Sequence, residues 1–220
     1  MTSQPELLRT MSTDIPRLYL ITPPISDWAA FSPVLDATLE VCDVACILLR
    51  TEANDDDDRA KIIGGLAPLA QSRGVACLLA NDSRLAISAD ADGVHIESTG
   101  EELKAALSAL HPGHIVGAGG LTTRDAAMMA GEAGVDYLMF GGPGCAEPHA
   151  SIVERVAWWA EIFNLPCIGY AHDFAGIGDL VRAGADFIAL GDAVFAHPSG
   201  AAAALSEAYA ILAATREPAE

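Results

Sequence analysis

A chain of 220 residues, 51% of them hydrophobic, can bury a full core and fits one barrel-sized domain better than two small ones. Its 30 acidic residues against 12 Lys and Arg give a net charge of -18, which argues against nucleic acid as a partner because a phosphate backbone needs a basic surface. No run of about 18 or more apolar residues reads as a membrane span, and Met1–Thr13 lacks the basic start and apolar centre of a signal peptide. A soluble, cytoplasmic protein with no membrane partner is therefore expected.

Residues 1–16 read as an N-terminal segment and 17–215 as the folded domain. Arg17–Thr22 is the first strand, expected to close at Pro23-Pro24, which cannot continue a ladder. Trp28–Val41 has helical length and spacing, and Asp43–Leu49 is the second strand. Beyond Arg50–Asn54 comes the acidic run Asp55–Asp58. It opens a helix at the positive end of its dipole, and a solvated first turn is the plainer reading than a metal site. The helix continues through Lys61–Arg73.

Val75–Ala80 is a continuous apolar run, as expected of a parallel strand covered on both faces. Asn81-Asp82 stops it. The oxygens of these side chains can cap a helix starting near Ser83, at the carboxyl end of a strand where α/β proteins place ligand groups. His95 ends the fourth strand and is expected to point into the mouth, where a satisfied histidine and a functional one fit equally well. Glu101–Leu110, Arg124–Glu132, Ile152–Phe163 and Ala201–Ala214 read as helices, and His114–Ala118, Val135–Phe140, Pro166–Tyr170 and Asp186–Leu190 as strands.

An internal echo organises the pattern. Ala89–Val94, Ala133–Leu138 and Ala183–Ile188 each end a helix and start a strand, with Gly134 and Gly184 suited to a left-handed helix cap. Apolar strands alternating with helices over this length predict a single-domain (β/α)8 TIM barrel, whose functional face is the set of loops after the strands. The cysteines are odd in number and show no metal-finger spacing. Cys42, Cys46, Cys77 and Cys167 lie in or beside apolar runs, where reduced, buried thiols are expected.

The run Cys77–Ile96 resembles the third and fourth strands of the thiamine phosphate synthase and TenI-like superfamily. The pattern there is L-L-I-N-D, a short helix, then G-A-D-G-V-H-L, and Asn81-Asp82 and Asp92-Gly93-Val94-His95 match it in order and spacing. The resemblance runs from Leu18 to about Phe195. It implies the barrel fold and a transferase reaction, the Mg2+-dependent joining of hydroxymethylpyrimidine pyrophosphate to thiazole phosphate with release of pyrophosphate. It also implies that Asp82 helps hold the magnesium and that Arg50, Asn81, Asp82, His95, His172 and Asp192 meet a small-molecule substrate.

Several family motifs are altered. Leu49-Arg50 keeps the L-R pair of Q-L-R-E-K, while Glu52 replaces the phosphate-binding lysine. The second metal-binding acid falls on Gly100, with Glu97 the nearest substitute. G-V-S-T-H becomes Gly117–Leu121 without hydroxyl or imidazole, and G-P-I-F-x-T-x-T-K becomes Gly141–His149 without its threonines or lysine. The glycine pair of A-I-G-G-I, which lets backbone N–H groups approach phosphate, becomes Ala171-His172. Asp192 stands where a small polar residue completes the phosphate cup, and the TenI-like tautomerase histidine falls on Gly142.

Gathered at the predicted mouth are Arg50, Glu52, Asp82, His95, Glu97, Cys145, Glu147, His149, His172, Asp173 and Asp192, one arginine against six acids. A Cys145–His149 nucleophile pair needs geometry, not closeness in sequence, and a transition-metal set from His149, His172 and Glu147 needs three loops to converge. Two functions stay open. One is a thiamine phosphate synthase-like enzyme with a degenerate phosphate site. The other is a non-catalytic or repurposed barrel binding an uncharged or cationic small molecule or a protein partner. The oligomeric state, a homo-oligomer included, also stays open.

Overall fold

The computed structural model describes residues 16–53 and 55–215; the expected N-terminal segment, Pro16 apart, and Asn54 lie outside them. Parallel strands β1 (Arg17–Ile25), β2 (Val44–Thr51), β3 (Ala76–Ala80), β4 (Gly93–Ile96), β5 (Ile115–Ala118), β6 (Tyr137–Phe140), β7 (Cys167–Tyr170) and β8 (Phe187–Leu190) close a barrel in sequence order. Around it run α1 (Trp28–Leu39), α2 (Asp56–Ser72), α3 (Ser83–Ser88), α4 (Glu101–Leu110), α5 (Arg124–Glu132), α6 (His149–Ile162), α7 (Ile177–Arg182), α8 (Asp192–Phe195) and α9 (Ala201–Thr215). The chain is a single-domain (β/α)8 barrel. Among the described residues no helix is long and apolar enough to cross a membrane.

The strands read as unbroken apolar runs because both faces are covered. Leu18, Leu20, Ile47, Leu49, Cys77 and Leu79 face the helices, while Tyr19, Ile21, Cys46, Leu48, Leu78 and Tyr137 fill the interior. The barrel is thus a packed core with its chemistry confined to the rim.

One expectation fails at the first strand. Pro23-Pro24 does not end β1, which runs on to Ile25. Ile21 pairs with Leu48 and Pro24 with Arg50, so β1 carries one extra residue, a bulge. Pairing with β8 stops at Leu20, so the prolines sit beyond that ladder and need donate nothing to it. The Arg50 N–H donates to Thr22 Oγ1 at 3.0 Å, a side-chain oxygen standing in for a ladder carbonyl.

The internal echo proves to be a set of clamps at the amino ends of the strands. Asp92, Asp136 and Asp186 each precede an even strand, and each Oδ2 accepts a backbone N–H at the start of the preceding odd strand, from Cys77, Val116 and Cys167, all at 2.8 Å. Asp43, preceding β2, reaches the start of β1 through the Arg17 guanidinium at 3.0 Å. All five cysteines are free thiols, and burial pushes that of Cys167 up to about 12 and that of Cys42 up to about 11, so both stay protonated at neutral pH.

Candidate ligand site at the barrel mouth

Arg50 is the penultimate residue of β2, Asp82 follows β3, His172 follows β7 and Asp192 follows β8, so all four reach the carboxyl-end rim. A cavity of about 400 Å³ lies there, between the tips of β1, β2 and β3 and the first turns of α2. Arg50 and Arg59 are its charged lining groups, set among Pro24, Leu49, Ile63 and Leu85. The expected single arginine at the mouth therefore has company.

Arg59 comes from α2. Asp55 caps that helix by accepting the Asp58 N–H at 2.8 Å, and Asp56, Asp57 and Asp58 stay exposed, the solvated turn expected of them. One turn on, Ile62, Ile63 and Leu66 are buried, and Arg59, three and four residues before the first two, shares their inward face. Its Nη2 lies 2.7 Å from Asp82 Oδ2, the two side chains being 25% and 21% exposed. The other Asp82 oxygen, Oδ1, accepts the Leu85 N–H at 2.9 Å and caps α3.

Both oxygens of the expected magnesium ligand are thus engaged. Magnesium demands a near-octahedral set of oxygens, usually including one or two carboxylates. The second acidic position is Gly100, and among the described residues no group of three or more His, Cys, Asp or Glu side chains is placed to hold a metal. This donor set does not fit the cation.

The far side of the mouth carries the opposite charge. A smaller cavity of about 200 Å³ lies between the exits of β4, β5 and β6, with Glu97 and Glu147 on its wall beside Cys145. Glu147 is held by an ion pair with Arg155 of α6, a residue 8% exposed that also donates to the Thr122 carbonyl at 3.2 Å. Asn81 adopts a left-handed backbone, φ 57°, and its Oδ1 accepts the Glu97 N–H at 3.0 Å. It braces two loops together.

The remaining candidates do not converge on one centre. His149 heads α6, its ring against Gly176, with Nε2 3.4 Å from Asp179 Oδ2 rather than turned to Cys145. Asp173 is exposed and caps the short helical turn Phe174–Gly176 by accepting the Gly176 N–H at 3.1 Å. His172 and Asp192 are exposed, and the His172 ring meets the Tyr170 ring edge-on at 5.1 Å. Tyr170 itself points inward. Burial, reinforced by the Asp192 carboxylate and opposed by Arg50, pushes its phenol up, placing its hydroxyl in the fields of both charges.

His95 is not in the mouth. It lies within the barrel, 2% exposed, where Nδ1 is 2.9 Å from the Tyr137 hydroxyl. Inward alternation along β4 carries it there, and two glycines make the room. A Cβ at Gly117 would stand 1.9 Å from the Tyr137 ring, and one at Gly119 2.3 Å from His95 Nε2. Burial pushes the imidazole down to about 4, so it is neutral at pH 7. Arg59 and Arg155, absent from the sequence-level site, had a signal available: each lies on the buried stripe of its helix.

The family model described as thiamine monophosphate synthase matches residues 18–194. A thiamine-phosphate synthase of Rhodospirillum centenum is 39% identical over 87% of this chain and 95% of that protein. One from Hyphomonas neptunium is 36% identical over 86% and 90%. Among solved structures, a thiamine phosphate pyrophosphorylase from Pyrococcus furiosus superposes with a TM-score of 0.75 at 21% identity, covering 91% of this chain and 97% of that one, a likeness of fold.

Proposed function

The chain belongs to the thiamine monophosphate synthase family, and from that premise we propose that it binds a phosphorylated small molecule on the arginine side of its mouth without completing the family condensation. That condensation ionises a pyrimidinylmethyl pyrophosphate to a cation, joins it to thiazole phosphate and needs donors around both phosphorylated groups. The observation that carries the reading is the division of charge. Arg50 and Arg59 line one cavity, while Glu97 and Glu147 line the other. The first can hold an anion. The second, where the family keeps threonines and a lysine, presents Glu97 and the Arg155-paired Glu147 and so disfavours a phosphate.

The test is direct. Purified protein incubated with hydroxymethylpyrimidine pyrophosphate, thiazole phosphate and Mg2+ is expected to form no thiamine phosphate above background, and the gene is expected not to rescue a thiamine-requiring strain. Robust turnover would overturn the reading. A second one, a barrel repurposed for an uncharged or cationic ligand or a protein partner, draws support from Glu97 and Glu147 in the smaller cavity. Calorimetry with thiamine, a cation lacking phosphate, separates the two.

A further inference from the structure

Arg59 occupies the carboxylate oxygen of Asp82 that a divalent cation would need, and we propose that it replaces the metal: the cavity between β2, β3 and α2 is a metal-independent anion site in which Arg50 and Arg59 clamp the phosphate of the ligand. The inference rests on the reading of a phosphorylated ligand and adds what neutralises its charge.

Asp82 has no free oxygen. One of its oxygens caps α3 through Leu85 and the other meets Arg59 at 2.7 Å. A metal arriving here would have to displace the guanidinium and break the cap. The family's second metal-binding acid is also missing: its position is Gly100, and Glu97 faces the other way, its Oε1 3.9 Å from where a Cβ on Gly142 would stand. The guanidinium needs none of this. It presents five N–H donors in a rigid fork, of which Nη2 is directed at Asp82 and Nη1 only at a long 3.4 Å contact with the exposed Asp56.

The same ion pair that blocks the metal competes with an incoming anion for the guanidinium. The stem of Arg59 is fixed by α2, because Ile62 and Ile63 are anchored in the core. Arg50 supplies the second charge from the tip of β2. Hydrogen bonds from a guanidinium to phosphate are charge-assisted and stronger than neutral ones. Glu52, the replacement for the family lysine, is exposed and does not line this cavity. The cation lost from the β2 loop is thus restored from the neighbouring helix.

Titrating the intact chain with inorganic pyrophosphate by calorimetry, once in EDTA and once with excess Mg2+, tests the proposal. Binding is expected in EDTA, with no gain from magnesium. Arg59→Gln should weaken it about tenfold or more, the loss of a charge-assisted bond. Asp82→Asn should leave the affinity unchanged or raise it, because it releases the guanidinium; a metal site would respond in the opposite sense. Binding that requires magnesium, or falls with Asp82→Asn, overturns this inference and leaves the phosphorylated-ligand reading standing. No binding in either buffer overturns both. Should Arg59→Gln fail to fold, the EDTA comparison and Asp82→Asn still decide.

Discussion

His95 Nδ1 lies 2.9 Å from the Tyr137 hydroxyl, and that hydroxyl lies 3.0 Å from the hydroxyl of Tyr19, so three polar side chains form a chain through an otherwise apolar barrel interior. Such groups are tolerated because each has a partner, and the low dielectric that would penalise an orphan strengthens the bonds they make. The cost is an imidazole that resists protonation.

Acid sensitivity follows from that. The folded His95 titrates near 4, below the usual histidine value of about 6.5 in the unfolded chain. Between those values the unfolded state binds more protons, so stability falls as pH falls through the window. About 1.4 kcal/mol per pH unit gives a loss of about 3 kcal/mol by pH 4. His95→Gln cannot titrate, so its urea-unfolding free energy should drop less than that of the native protein between pH 7 and pH 4. Equal losses would rule His95 out.

Two glycines hold the space for this chain. Gly117→Ala and Gly119→Ala, whose Cβ atoms would lie 1.9 and 2.3 Å from Tyr137 and His95, should each cost about 1–3 kcal/mol in denaturant unfolding. Gly142→Ala, with no neighbour nearer than 3.9 Å, should stay within about 0.5 kcal/mol. Restoring the family serine at Gly119 meets the same clash, so it is not expected to return activity by itself.

The rim after β7 and β8 should remain free of phosphate. An anion there meets the exposed Asp173 and Asp192 carboxylates, each opposing it by about 1 kcal/mol at 4 Å in water and more where solvent is excluded. Crystals soaked in millimolar phosphate should show density near Arg50 and Arg59 and none over Asp192. The double variant His172→Gly with Asp192→Ser should gain density at the rim. Phosphate there in the native protein would show that the acids turn away.

The barrel was legible in the sequence because its signal is local: apolar runs, alternating helices and a repeated aspartate-to-strand junction. The course of β1 through Pro23-Pro24 was not, since sequence does not reveal that β8 pairing ends at Leu20 and leaves the prolines unpaired on that side. The same limit applies at the site. Asp82 and Arg50 could be found from a motif, but Arg59 sits beside an acidic run that reads as solvated surface, and its approach to Asp82 depends on how α2 packs. His95 faces inward as the strand alternation requires; its partner Tyr137 is 42 residues away, a proximity only the closed sheet creates.

The clamps give a stability prediction. Asp136→Ala removes an acceptor from the Val116 N–H at 2.8 Å and from His111 Nε2 at 2.9 Å, and should cost about 1–3 kcal/mol. Asp125→Ala, exposed in the first turn of α5, should cost less than about 1 kcal/mol. Pyrophosphate affinity should be equal in both, because Asp136 lies at the opposite end of the barrel from the mouth. A weakened affinity in Asp136→Ala would mean that the two ends are coupled.

Asp43, Asp92, Asp136 and Asp186 also bear on descent. They secure each even strand to its predecessor at the end of the barrel remote from any ligand, so a lineage can exchange the threonines, lysines and glycines of the rim for other residues while the scaffold survives selection intact. Likeness to a relative is then a record of ancestry written mostly in the scaffold, and a gene copy can keep that record long after its original chemistry has been abandoned.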